Sequence, residues 1–308
     1  MKTVIEVGEL TKDYNGFTAV DHISFEVEEG EIFGFLGPNG AGKTTTVRIL
    51  TGVIKPTSGK VSIMGFDLRS ESIKAKQIIG VVPELSNAYN ELSAWNNLQF
   101  MADLYGVPKN HAKKRAEELL NKFNLYDRKD HKVKTFSKGM KQKLILAMSL
   151  MNDPEILFLD EPTSGLDVIS ARLIKDMVLE LNKGGKTIFL TTHYMEEANE
   201  LCSRVAIINH GKIAAIDAPE KLKMRIAGLE WVEVSFDMPV DASDLLDLSG
   251  VIDVRMSGDK LRLYTNEPGR TIYQLVDYSR SNNLEIVMLN TLTPTLEDVF
   301  IKLTEEKG

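Results

Sequence analysis

The sequence predicts an α/β fold built on a parallel sheet, followed by a smaller α+β domain. Three observations carry this expectation. Short apolar strands alternate with helices through most of the chain, the pattern of a parallel sheet with helical crossovers. A glycine-rich stretch, "GPNGAGKT" at residues 37–44, joins one such strand to one such helix. After about Ala218 the texture changes to half-buried strands and helices in the order βαββαβ, the ferredoxin-like arrangement. The expected domains are therefore 1–220 and 221–308.

Taken in order, residues 3–7 and 23–27 read as strands, and 32–36 is an apolar strand that enters the glycine-rich loop. Residues 44–50 read as a helix, and 61–64 and 79–82 as short strands. From about 90 to 151 the pattern is mainly helical, with Ser93 as a cap and an amphipathic stretch over 113–123. "EILFLDEP" is a buried strand ended by Pro162, and "KTIFLTTH" is another. Between them, 166–181 is a helix with Ala171, Ile174, Met177, Val178 and Leu181 on one face. "RVAIINHGKIAAI" reads as a hairpin turning at 209–211. In the second domain a short helix covers 219–224, and "EWVEVSFD" alternates as a strand does. A helix (242–248), two strands (251–256 and 261–264), a helix (271–280) and a strand (284–289) follow, and a last helix runs from Pro294 to about Leu303.

Composition narrows the function. The chain has 308 residues, 43% of them hydrophobic, enough for proper cores. It carries 37 Lys+Arg against 44 Asp+Glu, a net charge of −7, which argues against a broad nucleic-acid surface. The 1 cysteine, Cys202, excludes a disulfide framework and a cysteine-based zinc site. The N-terminus, "MKTVIEVGEL", alternates and carries Glu6 and Glu9, as a strand does and a signal peptide does not. The most apolar run, 144–151, falls far short of the roughly 20 residues a spanning helix needs. A membrane role is expected only through a partner.

Gly37, Pro38, Asn39, Gly40, Ala41, Gly42, Lys43 and Thr44 match G-x-x-x-x-G-K-[ST], the P-loop. Its backbone N–H groups cradle phosphate oxygens, its lysine meets the β- and γ-phosphates, and its hydroxyl reaches Mg²⁺. Thr45 continues the same helix start. Asp160 and Glu161 end a buried strand, where ligands bind in open α/β sheets. Beside a P-loop, Asp160 suits Mg²⁺ and Glu161 suits the attacking water; alone, the pair would merely cap the turn before Pro162. His193 ends the next apolar strand and can donate to a γ-phosphate oxygen. Tyr14 fits stacking on a base and packing in a turn equally well. "FSKGMKQK", 136–143, opens a helix with Ser137 as its cap, yet crowds Lys138, Lys141 and Lys143 at an end the macrodipole makes positive. Ser137 and the Gly139 backbone form a plausible anion site there; a solvated basic face is the plainer alternative.

The order of these motifs resembles the ATP-binding subunit of ABC transporters, over Tyr14 to about His193. The resemblance makes 37–44 the P-loop, 82–84 the glutamine loop, 90–151 a helical subdomain and 136–140 the signature. It makes Asp160–Glu161 the Walker B end, 164–167 the D-loop with Asp167, and His193 the switch histidine. It implies an N-terminal antiparallel β subdomain, adenine stacking on Tyr14, ATP and Mg²⁺ as ligands, and a metal set of Thr44, Glu84 and Asp160. Two departures stand out. Glu84 replaces the usual glutamine, and Lys138 and Met140 depart from Leu-Ser-Gly-Gly-Gln. These variants, with the C-terminal "TLEDVFIKLT", resemble the subfamily that pairs with export-type permeases, such as the daunorubicin-resistance and sodium-efflux systems.

The resemblance further implies a head-to-tail pair, with a second copy or a paralogous ATP-binding subunit. Each ATP would lie between the P-loop of one chain and the signature of the other. The chain would sit on the cytoplasmic face of the membrane through an integral permease, received near 84–98. A relative acting on nucleic acid or ribosomes is the alternative. Against it stand the absence of a long heptad insertion, a second P-loop, zinc cysteines and a basic surplus. A P-loop kinase or GTPase would leave the signature stretch and His193 without a task, and no N-K-x-D motif is present.

Overall fold

The computed structural model describes residues 2–84, 88–225, 230–292 and 294–305. The chain forms two compact units, Met1–Ala218 and Pro219–Gly308.

In the first unit, β1 (Thr3–Tyr14) and β2 (Phe17–Glu28) make a long antiparallel hairpin. Its turn is Asn15-Gly16, with φ of 46° and 89°, the left-handed pair that a two-residue Asn-Gly turn provides. Both strands exceed their expected lengths. Register shifts interrupt the pairing between Val7 and Leu10, and Glu9 and His22 both take φ 49°. Such bulges break the period-2 alternation from which strands are read. Tyr14 consequently ends β1.

β3 (Ile32–Leu36) belongs to a second sheet, while β4 (Ser58–Ile63) and β5 (Phe66–Asp67) complete the first, in the order β2-β1-β4-β5. β6 (Ile79–Val82), β7 (Ile156–Asp160), β8 (Thr187–Thr192), β9 (Arg204–Asn209) and β10 (Lys212–Asp217) join β3 in the order β10-β9-β3-β8-β7-β6. Every pair in it is parallel except the β9–β10 hairpin. Strands β3, β7 and β8 are buried at every residue, which is why they read as continuous apolar runs. A phenylalanine cluster links the two sheets: the Phe25 ring lies 5.5 Å from Phe33, 5.6 Å from Phe35 and 5.9 Å from Phe189. Burying such a side chain contributes about 1.5–3 kcal/mol.

The helices of this unit are α1 (Lys43–Leu50), α2 (Ser72–Gln77), α3 (Ala94–Leu104), α4 (Lys109–Lys122), α5 (Lys138–Ser149), α6 (Val168–Lys183) and α7 (Met195–Leu201). α3, α4 and α5 pack on one another as a helical layer. Ser93 caps α3 and Ser137 caps α5, each through a hydroxyl that accepts a backbone N–H (3.1 Å from Asn96, 3.2 Å from Met140). α6 starts two residues later than the apolar pattern suggests, because Asp167 is its cap and accepts the Ser170 N–H at 2.8 Å.

The second unit contains α8 (Pro219–Arg225), β11 (Glu230–Phe236), α9 (Ala242–Leu246), β12 (Val251–Ser257), β13 (Lys260–Thr265), α10 (Pro268–Ser281), β14 (Ile286–Leu292) and α11 (Leu296–Glu305). Its antiparallel sheet runs β12-β13-β11-β14, the ferredoxin-like order, over a core of Val232, Val234, Leu245, Leu261, Leu263 and Leu275. The last strand begins two residues later than expected. Asn283 takes φ 57° and the Leu284 N–H bonds to Ser279 O at 2.9 Å, so those residues close α10 first.

Candidate active site

The chain leaves β3 at Leu36 and turns through Gly37 to Gly42 into α1. Two glycines are dictated by close backbone approach. A Cβ on Gly37 would lie 2.3 Å from Ile208 O, and one on Gly42 would lie 2.5 Å from Ala19 O. Gly42 also takes φ 108°, a conformation that L side chains rarely adopt. The loop is thereby pinned between β9 and β2. Inside it, Lys43 Nζ donates to Gly37 O (2.7 Å) and Pro38 O (3.1 Å). The Ala41 carbonyl, in turn, accepts the Gly211 N–H at 3.0 Å.

A cleft of about 420 Å³ opens over this loop. Tyr14, Asn39, Gly40, Gly42, Lys43, Thr44, Thr45, Glu84 and Glu161 line it, together with Phe17 and Ala19. The last two were not legible as site residues. The "YNGF" hairpin was the available signal, since it sets Phe17 opposite Tyr14 across a two-residue turn. Both aromatics are exposed, and Lys12 Nζ lies 4.9 Å from the centre of the Tyr14 ring.

Asp160 ends β7, and Glu161 follows with φ 53°. That left-handed backbone costs an L-residue about 1–2 kcal/mol. It is held by the Glu161 N–H, which bonds to both Thr191 O (3.1 Å) and Thr191 Oγ1 (3.2 Å). Thr191 Oγ1 donates to Asp160 Oδ1 at 2.5 Å. Thr191 is thus the hub that sets both acids, and its only sequence signal was a hydroxyl at the end of an apolar strand. Burial pushes the Asp160 carboxyl above its usual range; the Glu84 and Glu161 carboxylates add to this, while the Thr191 and Thr44 hydroxyls oppose it. Glu161 is clamped on both sides, with Lys43 Nζ 3.3 Å from Oε1 and His193 Nδ1 2.7 Å from Oε2. With Nδ1 committed to Glu161, Nε2 is the nitrogen left to meet a phosphate oxygen.

Ser137, Gly139 and Asp167 do not line this cleft. Three lysines near Ser137 are engaged within the chain. Lys132 and Lys134 both pair with Glu91 at 3.2 Å, and Lys138 Nζ donates to Gly165 O at 2.7 Å. Ser137 Oγ accepts the Met140 N–H, which leaves its own O–H free to donate. Residues 85–87 of the stretch expected to receive a permease lie outside the described residues. Among the described residues no three His, Cys, Asp or Glu side chains gather as a metal cluster, and no helix is long and apolar enough to cross a membrane.

Fold and cleft define a P-loop nucleotide-binding protein of the ATPase class. The family model "ABC transporter" matches residues 20–164, and that of the "ATP-binding protein DrrA1-3-like, C-terminal domain" matches 218–304. The chain is 35% identical to the linearmycin resistance ATP-binding protein LnrL of Bacillus subtilis (strain 168), over 98% of each chain. It is 36% identical to the Nod factor export ATP-binding protein I of Ralstonia nicotianae, over 98% of this chain and 94% of that protein. Among solved structures, a dimeric ATP-binding cassette in a post-hydrolysis state with ADP and Pi has a TM-score of 0.64 at 27% identity. That match covers 70% of this chain and 98% of the cassette. The chain belongs to the ATP-binding subunits of ABC transporters, ATPases that drive a separate permease.

Proposed function

We propose that the chain hydrolyses ATP as one half of a head-to-tail pair and thereby drives an export-type permease. The observation that carries this reading is the clamped Glu161. A carboxylate held between the P-loop lysine and a histidine, at the wall of a cleft lined by glycines, is placed to take a proton from an attacking water. Tyr14 and Phe17 offer faces for the adenine ring, and the backbone N–H groups of Gly40, Gly42, Lys43, Thr44 and Thr45, which line the cleft, hold the phosphates. His193 supports Glu161 through Nδ1 and presents Nε2 to the γ-phosphate.

The site fits Mg²⁺. The Thr44 hydroxyl and Glu84 both lie close enough to perturb the Asp160 carboxyl, so hard oxygen donors converge from separate elements. Few protein ligands are needed, since Mg²⁺ keeps several waters and binds the nucleotide's own phosphates. When bound, it supplies charge neutralisation to the β- and γ-phosphate oxygens.

Ser137 and the Gly139 N–H are assigned to the ATP held by the other chain, for which they remain free of the chain's own cleft. Asp167 contributes to the same interface through the loop it ends. The second subunit is a copy of this chain or a paralogue, and the pair works at the cytoplasmic face of the membrane. Export rests on the names of the relatives, two of which concern resistance and export. The test is Glu161→Gln, which should bind ATP and trap the pair in sedimentation velocity. A variant that turns over ATP at the wild-type rate, or stays single with ATP, overturns the reading.

A further inference from the structure

Lys138 stands where the resemblance to Leu-Ser-Gly-Gly-Gln puts glycine, and its exposed side chain is engaged within the chain. Its ammonium donates to Gly165 O at 2.7 Å. The fit is close: a Cβ on Gly165 would lie 2.2 Å from Lys138 Nζ. Gly165 also takes φ 64°, a backbone conformation that favours glycine, and a Cβ there would displace the flexible end of Lys138.

The next signature residue meets the same region. A Cβ on Gly139 would lie 2.5 Å from Ser170 Oγ, so the α5 backbone abuts the first turn of α6. Ser170 is fixed by Asp167, which accepts its N–H at 2.8 Å and its hydroxyl at 2.7 Å. At its other end the loop is tied to the catalytic acid. The Ser164 N–H bonds to Glu161 O at 3.1 Å, and the Leu166 N–H bonds to Thr163 O at 3.1 Å. Thr163 is anchored from below, its hydroxyl donating to the buried Glu197 carboxyl at 2.7 Å. From Glu161 to Asp167 the chain is therefore one turn-bonded segment, and Lys138 is its side-chain link to the α5 N-terminus.

We propose that Lys138 is a positioning residue, a strap that couples the phosphate-facing end of α5 to the Gly165 loop and through it to Glu161. This rests on the paired arrangement proposed above. There, the α5 N-terminus of a chain serves the partner's ATP, whereas its Glu161 serves its own. The strap then joins the two ATP sites in series, and ATP at one site biases the geometry of the acid at the other. Reciprocal coupling of this kind appears as cooperativity in ATP. The lysine acts through the carbonyl it holds, so its charge is not a phosphate ligand.

Two variants separate strap from charge. Lys138→Met deletes the ammonium, while Gly165→Ala keeps it but displaces it from the carbonyl. ATPase rate against ATP concentration is measured for both, for Lys138→Arg and for the wild type, with sedimentation in ATP at low and high salt. The expected result is a Hill coefficient falling toward about 1 and kcat falling about tenfold in both Met and Ala variants. Binding of a fluorescent ATP analogue to the P-loop of the isolated chain should stay within about twofold, and Lys138→Arg should restore cooperativity by donating to the same carbonyl. Unchanged cooperativity in both variants overturns the strap. So does a Lys138→Met variant with weaker, less salt-sensitive pairing beside a Gly165→Ala variant that behaves as wild type, because the charge would then be acting on phosphate. A wild type that neither pairs nor shows cooperativity overturns the paired reading itself, and the strap with it.

Discussion

Lys43 Nζ lies 3.3 Å from Glu161 Oε1, with both side chains buried at the base of the nucleotide cleft. The P-loop lysine and the proposed base thus neutralise one another at the ends of β3 and β7, the strands on either side of β8. A buried pair of this kind is weak evidence for stability, since desolvation offsets much of its attraction. Its meaning is positional. In the proposed mechanism a phosphate arriving at the loop competes with Glu161 for Lys43, and releases the carboxylate to act on water.

Glu161→Gln removes the base and keeps the shape. The amide can still accept from Lys43, so the fold and ATP binding should survive. Turnover should fall by at least about 100-fold, the usual contribution of a positioned base. Steady-state phosphate release together with an ATP-binding isotherm checks this; loss of binding in parallel with turnover would show that the residue is structural.

His193 holds Glu161 from the other side, Nδ1 to Oε2 at 2.7 Å. His193→Ala should lower kcat by about 10- to 100-fold and change ATP affinity by less than about threefold, because the ring acts on the acid and the γ-phosphate and does not line the P-loop cleft. His193→Gln keeps a polar group in reach of Glu161 and should retain more of the rate than alanine. Equal loss in both variants would remove the hydrogen-bond explanation.

Asp160 gives a stability prediction with a definite sign. Its folded-state pKa is raised, chiefly by burial. The native chain therefore holds this proton more tightly than the unfolded chain. Stability falls as pH rises from the ordinary value of 3.8 through the raised one, and the cost is fully present above it. Asp160→Asn should accordingly raise the melting temperature at about pH 7 in EDTA without nucleotide, while abolishing Mg²⁺-dependent protection by ATP. The gain should shrink toward acid pH. A lower melting temperature at neutral pH would mean that the Thr191 and Thr44 hydroxyls, which hold the charged form, outweigh burial.

Much of this site was legible because its chemistry is local in sequence. The P-loop glycines, Asp160–Glu161 and His193 each sit at the end of an apolar strand, and parallel pairing of β3, β7 and β8 brings those ends together. What was not legible depends on contacts between distant segments. Thr191 acts on acids some 30 positions away, and Phe17 enters the cleft only through the hairpin turn. Lys138 looked like a charge at the wrong end of a helix, and Gly165 supplies its partner from 27 positions on. The Glu9 and His22 bulges hid the length of β1 and β2 for a related reason. A bulge is set by pairing, and pairing is not written in one strand's own alternation.

Gly42 and Gly40 form an internal comparison, since both have positive φ, 108° and 82°, within the same loop. A Cβ on Gly40 would meet nothing within 4 Å, whereas one on Gly42 would lie 2.5 Å from the Ala19 carbonyl. Gly40→Ala should carry only the backbone strain, about 1–2 kcal/mol, and keep measurable ATP binding. Gly42→Ala adds a clash with backbone that cannot rotate away, and α1 begins at the next residue. It must push the loop off β2 and with it the N–H groups that face the phosphates. ATP affinity should fall by at least about tenfold more than in Gly40→Ala, with the larger drop in melting temperature. Nucleotide titration and thermal denaturation of the two variants side by side decide it. Equal effects would mean that conformational strain, and not the approach of Ala19, is what reserves position 42 for glycine.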